Sequence, residues 1–359
     1  MKALLPLLFL PILTAQKPVL SEADVMKTHR SSLLIDTHND VTSFTVDDFD
    51  IGKSFGKHHT DIDRLKKGGV GATFFAVYVA GRYAESNTAA NRAMQMIDTV
   101  RHDIVGRYPG DFVLAATAAS IESARRKGRI AALMGIEGGH AIEDSLRLLR
   151  DFHALGVRYM TLTHNTNNNW ADSSGSPAKH NGLTAFGREV VREMNRLGMI
   201  VDVSHTSDKT FWDALETSRA PVFASHSSCR ALCDVPRNMT DDMIAAMAKK
   251  GGVIQVNFNC GFLVKTPVGG KPSATLADAV SHIDHAVKVA GIGGVGIGSD
   301  FDGITCVPAG LENVGMFPAL TRALMEKGYT ESDIRKIYGG NTLRLMRAVE
   351  KAASLRDQL

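Results

Sequence analysis

Apolar residues along most of this chain fall in short consecutive runs, many of them rich in β-branched side chains. Eight such runs span Leu33–Thr37, Ala72–Val79, Ile130–Ile136, Tyr159–Thr163, Met199–Val203, Pro221–Ser225, Val253–Phe258 and Gly294–Gly298. Strands covered on both faces need apolar residues on successive positions, and several of these runs have them. Between the runs the period lengthens. Glu143–Leu155 repeats Leu at three- and four-residue spacing and stops at Gly156. Thr184–Leu197 opens on an N-cap hydroxyl and stops at Gly198. Thr240–Lys250 opens with two acids at the positive end of the helix dipole and stops at Gly251 and Gly252. Leu276–Ala290 and Glu331–Ala353 complete the helical segments. Strict alternation of strand and helix dictates a parallel sheet with right-handed crossovers. Eight units with no Gly/Ser/Pro linker fit one closed (β/α)8 TIM barrel over residues 21–359 better than two doubly wound domains.

Composition narrows the class without naming a function. Of 359 residues, 44% are apolar and 22% charged, which excludes wholesale disorder. The net charge of +3 with no long basic run gives no reason to invoke nucleic acid. The first residues, MKALLPLLFLPILTAQK, place one Lys before an apolar run broken by Pro6 and Pro11. That run is too short to span a bilayer, so residues 1–20 are expected to be a signal peptide, cut after Ala15. The expected location is secreted or periplasmic. The polar C-terminus, VEKAASLRDQL, offers no tail for a lipid anchor, and no membrane anchor is expected. Cys229, Cys233, Cys260 and Cys306 form no CxxC pair and read as buried small hydrophobes. A Cys229–Cys233 disulfide stays open in an oxidising compartment.

Candidate chemistry gathers where the strands run out, which is the active-site face of such a barrel. The first run leads into Asp36-Thr37-His38-Asn39-Asp40 and the third into Glu137-Gly138-Gly139-His140. The fourth ends at Thr163-His164-Asn165, the fifth at Ser204-His205, the sixth at Ser225-His226 and the eighth at Ser299-Asp300-Phe301-Asp302. His38 and Asp40 lie two apart on extended chain and share a face. Imidazole with carboxylate suits borderline cations such as Zn²⁺. His205 and His226 offer a second imidazole pair, and Glu137 could bridge two metals about 3.5–4 Å apart. Asp300 is left to move protons and His164 to stabilise oxyanion charge. A lone strand-end His is more often structural, and a lone Asp more often a cap. The joint pattern is what argues for a metal site. His282 and His285 read as structural, His29, His58, His59, His102, His153 and His180 as surface or loop residues, and His140 as a support beside the site. Gly291, Gly293 and Gly296 match GxGxxG but lead into a strand, so no phosphate cradle is expected.

With those residues in place, the chain resembles the membrane (renal) dipeptidase family, the M19 metallopeptidases of the amidohydrolase superfamily. The resemblance runs from about Ile35 to Arg347 through DTHND, GIEGGH, YMTLTHN, NNNWADSS, VDVSH, ASHSS, PRNMTDD, IGSDFDG and GGNTLR. It implies two zinc ions: His38 and Asp40 on one, His205 and His226 on the other, and Glu137 bridging. It further implies His164 on the substrate and its tetrahedral intermediate, and Arg237 on a free C-terminal carboxylate. Asp300 would take a proton from a metal-bridging hydroxide and pass it to the leaving amine. The implied activity is hydrolysis of short peptides, dipeptides with C-terminal D-residues included, by a homodimer. Some members also open carbapenem-type β-lactams. Asn259 stands where relatives often carry an aromatic residue, which bears on side-chain preference. Another superfamily activity, such as ring opening of a β-lactam, lactone or cyclic amide, or deamination, competes. Those enzymes commonly open with HxH and often bridge metals through a modified Lys, unlike the HND and Glu137 here. A non-enzymatic binding protein is disfavoured because every chemical position is intact.

Overall fold

The computed structural model describes residues 20–53 and 56–354, and the leader read over residues 1–20 falls outside them save for Leu20. Among the described residues nine parallel strands follow in chain order: β1 (Leu34–Asn39), β2 (Val70–Tyr78), β3 (Phe112–Leu114), β4 (Ile130–Glu137), β5 (Val157–Thr161), β6 (Ile200–Asp202), β7 (Phe223–Ser227), β8 (Val253–Val256) and β9 (Val295–Ile297). Their order is β2-β1-β9-β8-β7-β6-β5-β4, and β2 pairs with β4 from Ala72↔Ala131 to Tyr78↔Glu137, closing an eight-strand barrel. Helices stand between the strands, which makes the fold a (β/α)8 TIM barrel. The ninth strand, β3, was not among the runs read from sequence. Its three residues pair with Ile130–Ala132, ahead of the stretch of β4 that pairs with β5 from Met134 onward. A segment that short carries no periodic signal.

The expected helix ends hold where a cap is spelled out. Thr184 accepts a hydrogen bond from the Gly187 N–H, and Gly198 closes that helix at φ 78°. Thr240 accepts from the Met243 N–H. The last helical segment is not continuous. It runs Glu331–Arg335, widens into a π-type turn at Lys336–Gly340, and resumes at Asn341–Ser354. The Asn341 amide donates to the Ile292 and Val295 carbonyls at 2.7 and 2.8 Å, tying the resumed helix to β9.

Inside the barrel Ile35, Phe74, Leu133, Tyr159 and Phe223 form a core that continues into Ile121, Leu343 and Val349 of flanking helices. Each such side chain contributes about 1.5–3 kcal/mol by leaving water. The disulfide left open between Cys229 and Cys233 does not form. Cys229 is held against His282, its N–H on Nδ1 at 3.0 Å, while the Cys233 thiol reaches the Gly261 carbonyl at 3.5 Å. The two thiols face different elements and are free and buried. The disulfide is Cys260–Cys306, with Cα atoms 5.6 Å apart. His29, expected at the surface, is buried between Thr321 Oγ1 at 2.7 Å and the Gly68 carbonyl at 3.0 Å.

Candidate active site

Strand register brings the strand-end residues to one rim. His38 lies within β1 and His226 within β7, because both strands extend further than their apolar runs. Asp40, Glu137, His164, His205 and Asp300 follow at or just past the ends of β1, β4, β5, β6 and β9. His38 Nε2 stands 3.1 Å from Asp40 Oδ2, 3.6 Å from Glu137 Oε1 and 4.0 Å from Asp300 Oδ1. Glu137 Oε1 lies 3.0 Å from His205 Nε2, 3.2 Å from His226 Nε2 and 3.8 Å from His164 Nε2. Three groups able to hold a metal therefore overlap through shared members: His38/Glu137/His226, Glu137/His164/His205 and His38/Asp40/Asp300.

Two glycines make this convergence possible. A Cβ on Gly135 would sit 1.9 Å from the Tyr159 ring, so only Gly lets that phenol stand inside the barrel. Its hydroxyl meets His38 Nδ1 at 2.7 Å. A Cβ on Gly303 would fall 2.3 Å from Asp40 Oδ2 and 2.6 Å from Asp300 Oδ1. His205 and Asp300 hold left-handed backbone at φ 63° and 64°, a strain of about 1–3 kcal/mol each that proteins concentrate at functional sites.

Electrostatics separates the roles. Burial, reinforced by the charges of Asp40 and Glu137 against the pull of His38, pushes Asp300 up to about 8. Burial also drives Glu137 upward, but the surrounding histidines, His38 foremost, outweigh it and hold that carboxyl well below its usual range. His205 and His226 lie well below the ordinary imidazole value through burial, and His164 is lowered for the same reason. Burial lowers Arg237, which Asp300 and Glu137 partly offset.

The donor set fits metal. Ser225 Oγ gives its hydrogen to Asp202 Oδ2 at 2.6 Å, so it accepts from His226 Nδ1 at 2.7 Å. Asn165 Oδ1 accepts from His205 Nδ1 at 3.0 Å. Both Nε2 atoms are then bare, yet they face each other at 2.9 Å beside a carboxylate oxygen. His38 Nε2 and Asp40 Oδ2 are buried with no hydrogen-bond partner. One shared proton would relieve one of these contacts, whereas divalent cations relieve them all.

Beside this set lies a chamber of about 350 Å³ lined by Tyr78, His164, Asn259, Phe262, Asp300 and Ile304, among others. An adjoining cavity of about 820 Å³ shares Asp302 and Ile304 but none of the converging ligands. Arg237 is half-buried, with Nη1 on Ser227 Oγ and Nη2 on the His226 carbonyl, both at 3.0 Å, and its guanidinium 5.4 Å from the Phe262 ring. All eight residues singled out in the sequence thus belong to one neighbourhood. His140 stands beside it, near enough to feel the charges of His164 and Glu137. It lines a separate cavity with Glu143, Asp144 and Asn168 and makes no hydrogen bond to the ligand set. His58 and His59 are not plain surface residues, standing 3.7 and 3.9 Å from Asp302. His282 is structural, as expected, buried between the Cys229 N–H and the Leu263 carbonyl.

Sequence reasoning missed Tyr78, edge-on to His164 at 4.8 Å, and Asn257, whose amide donates to Asp300 Oδ2 at 2.8 Å. Each is the last residue but one of a run that delivers no His or carboxylate, so asking for any polar group near every strand end would have found them.

A closed barrel whose mouth gathers three overlapping groups of residues able to hold a metal is the arrangement of a metal-dependent hydrolase. The chain belongs to the membrane dipeptidase family, peptidase family M19, whose model matches residues 22–358, and it is a dipeptidase of the metallopeptidase class. It is 38% identical over 337 residues to Dipeptidase verJ of Clonostachys rogersoniana, covering 89% of this chain and 85% of that one. It is 39% identical to an uncharacterized dipeptidase of Schizosaccharomyces pombe, covering 88% and 81%. Among solved structures, a metallopeptidase of Rhodobacter sphaeroides liganded with a phosphinate mimic of L-Ala-D-Ala superposes with TM-score 0.81. It shares 30% identity over 89% of this chain and 99% of that one. The probable dipeptidase PvdM of Pseudomonas aeruginosa shares the fold at TM-score 0.84 and 24% identity, covering 92% and 99%.

Proposed function

We propose that this dipeptidase works with two zinc ions bridged by Glu137, on substrates with a free C-terminal carboxylate, C-terminal D-residues included. The observation that carries the reading is the convergence of His38, Asp40, Glu137, His205 and His226, with His38 Nε2 and Asp40 Oδ2 left without a hydrogen-bond partner and the Nε2 atoms of His205 and His226 facing each other beside Glu137. Bound there, the metals would supply a hydroxide at neutral pH and polarise the scissile carbonyl. The protein's own groups do the rest. Arg237, already fixed by two hydrogen bonds, keeps N–H groups to clamp the substrate carboxylate. His164, held neutral by burial, donates a hydrogen bond to the oxygen that becomes negative. Asp300, which cations bound beside it would ionise, takes the proton of the attacking hydroxide and passes it to the nitrogen as the C–N bond breaks. Asn257 holds its Oδ2 meanwhile, leaving Oδ1 for the transfer. The phosphinate dipeptide mimic on the Rhodobacter structure supports acceptance of a D-residue. The Cys260–Cys306 disulfide supports an oxidising, extracytoplasmic setting and hence the leader read over residues 1–20.

The test is a panel of L–L, L–D, N-acetylated and C-amidated dipeptides, with zinc-loaded and chelated protein. Zinc-dependent cleavage that the C-terminal amide abolishes is expected. Equal turnover of C-amidated substrates would remove the carboxylate requirement, and turnover unaffected by chelation would remove the metal.

A further inference from the structure

We propose that Ser225 and Asp202 are positioning residues that form a relay behind His226 and set metal affinity on its side of the centre. The proposal rests on the dinuclear reading above. The three histidines of the ligand set are backed differently. His38 Nδ1 meets the Tyr159 hydroxyl at 2.7 Å and His205 Nδ1 meets the Asn165 amide at 3.0 Å, both neutral partners. His226 Nδ1 alone reaches a carboxylate, through the Ser225 hydroxyl at 2.7 Å and then Asp202 Oδ2 at 2.6 Å.

Asp202 is wholly buried and takes four donors. Oδ1 accepts the Ser204 and Ser225 N–H groups at 3.0 and 2.8 Å, and Oδ2 accepts Ser225 Oγ and Thr161 Oγ1 at 2.6 and 2.5 Å. Four donors fill the acceptor capacity of an ionised carboxylate. A serine has one hydrogen, and an acceptor-only carboxylate claims it. The Ser225 oxygen must then accept from Nδ1–H, which leaves Nε2 bare and facing Glu137 and His205.

The barrel holds an internal comparison. Asp36 takes the Ser299 hydroxyl at 2.6 Å and the Ser299 N–H at 2.8 Å, the same fork as Asp202 with Ser225. No imidazole sits on Ser299. The serine–carboxylate fork alone therefore serves packing, and the imidazole at Ser225 converts it to a relay. Outer partners of this kind fix the tautomer and raise ligand basicity.

The experiment is competition for Zn²⁺ between a chelating indicator and four proteins: wild type, Ser225→Ala, Ser225→Thr and Thr161→Val. Wild type is expected to bind two equivalents. Ser225→Ala should keep one at wild-type affinity and weaken the other about 10–100-fold. Ser225→Thr, which retains the hydroxyl, should restore it. Thr161→Val removes another donor to Asp202 but leaves the relay, and should bind both normally despite a lower Tm. Asp202→Asn weakens the same equivalent and serves if Ser225→Ala does not fold. The relay is overturned if Ser225→Ala binds both equivalents like wild type, or if Thr161→Val weakens binding as much. Wild type taking fewer than two equivalents would instead overturn the dinuclear reading.

Discussion

Arg237 spends one N–H of each terminal nitrogen on Ser227 Oγ and the His226 carbonyl, so its fork is fixed before substrate arrives. A charged hydrogen bond contributes about 1.5–3 kcal/mol. Arg237→Ala is therefore expected to raise KM for free dipeptides about 10–100-fold with zinc content unchanged, and Arg237→Lys to fall between, keeping charge but losing the fork. Steady-state kinetics with metal analysis reads this, and an unchanged KM removes Arg237 from the clamp. Asp300 touches no metal-candidate nitrogen closer than 4.0 Å, yet faces the chamber. Asp300→Asn should lower kcat about 10²–10⁴-fold with both metals retained, the usual range for losing a general acid–base group. Turnover near wild type would end that assignment. The two residues differ in legibility. Asp300 follows a strand and stands out by position, whereas Arg237 is one of 41 basic residues on a loop. Nothing in its spacing distinguishes it, and only the resemblance does.

The loops after β8 and β9 form the wall of the chamber through Asn259, Phe262 and Ile304, and the Cys260–Cys306 bond joins them. A crosslink over a separation of 46 residues is worth up to about 4 kcal/mol by chain entropy. The double replacement Cys260→Ala/Cys306→Ala is expected to lower Tm and raise KM more than it lowers kcat, because the wall loosens while the ligands stay on their strands. Loss of kcat with KM intact would show that the loops support the chemistry itself. At this scale the sequence was most informative about strands and caps. Consecutive apolar runs marked all eight barrel strands, and Thr184 and Gly198 bounded a helix correctly. It was silent on β3, too short for a period, and on the π-type turn at Lys336–Gly340, which directly precedes the Asn341 tie to β9. The disulfide escaped too, because Cys260 and Cys306 meet only once β8 and β9 lie side by side. Tyr159 was read only as a strand residue, since its contact with His38 needs the gap left by Gly135.

Across the whole molecule, the response to acid should come from buried neutral histidines more than from the salt bridges. Glu193, held at about 2 by Arg196 and Arg150 against its burial, stays ionised through any mild acid range. His29 joins the first helix, Glu22–Ser31, to Thr321 and Gly68, and burial holds its pKa below the ordinary value. His153 is pushed down to about 4 by burial, with Arg158 and Arg196 adding to the effect. Both groups bind a proton more readily when the chain is unfolded. Their contribution is therefore full above about pH 6.5 and is lost as pH falls toward the folded values, while Asp36 and Asp300, pushed up by burial to about 6 and about 8, act in the opposite sense over the same range. Metal release in acid would add to that loss, so the comparison needs variants. His153→Gln and His29→Gln are each expected to flatten the slope of Tm against pH between 6.5 and 5 relative to wild type, whatever they do to Tm at pH 7.5. Thermal unfolding of chelated protein at a series of pH values measures it with the metal contribution removed. Parallel slopes for wild type and both variants would mean that these histidines do not set the acid limit. The decline would then belong to the cluster at the barrel mouth, where His205 and His226 are also held neutral by burial.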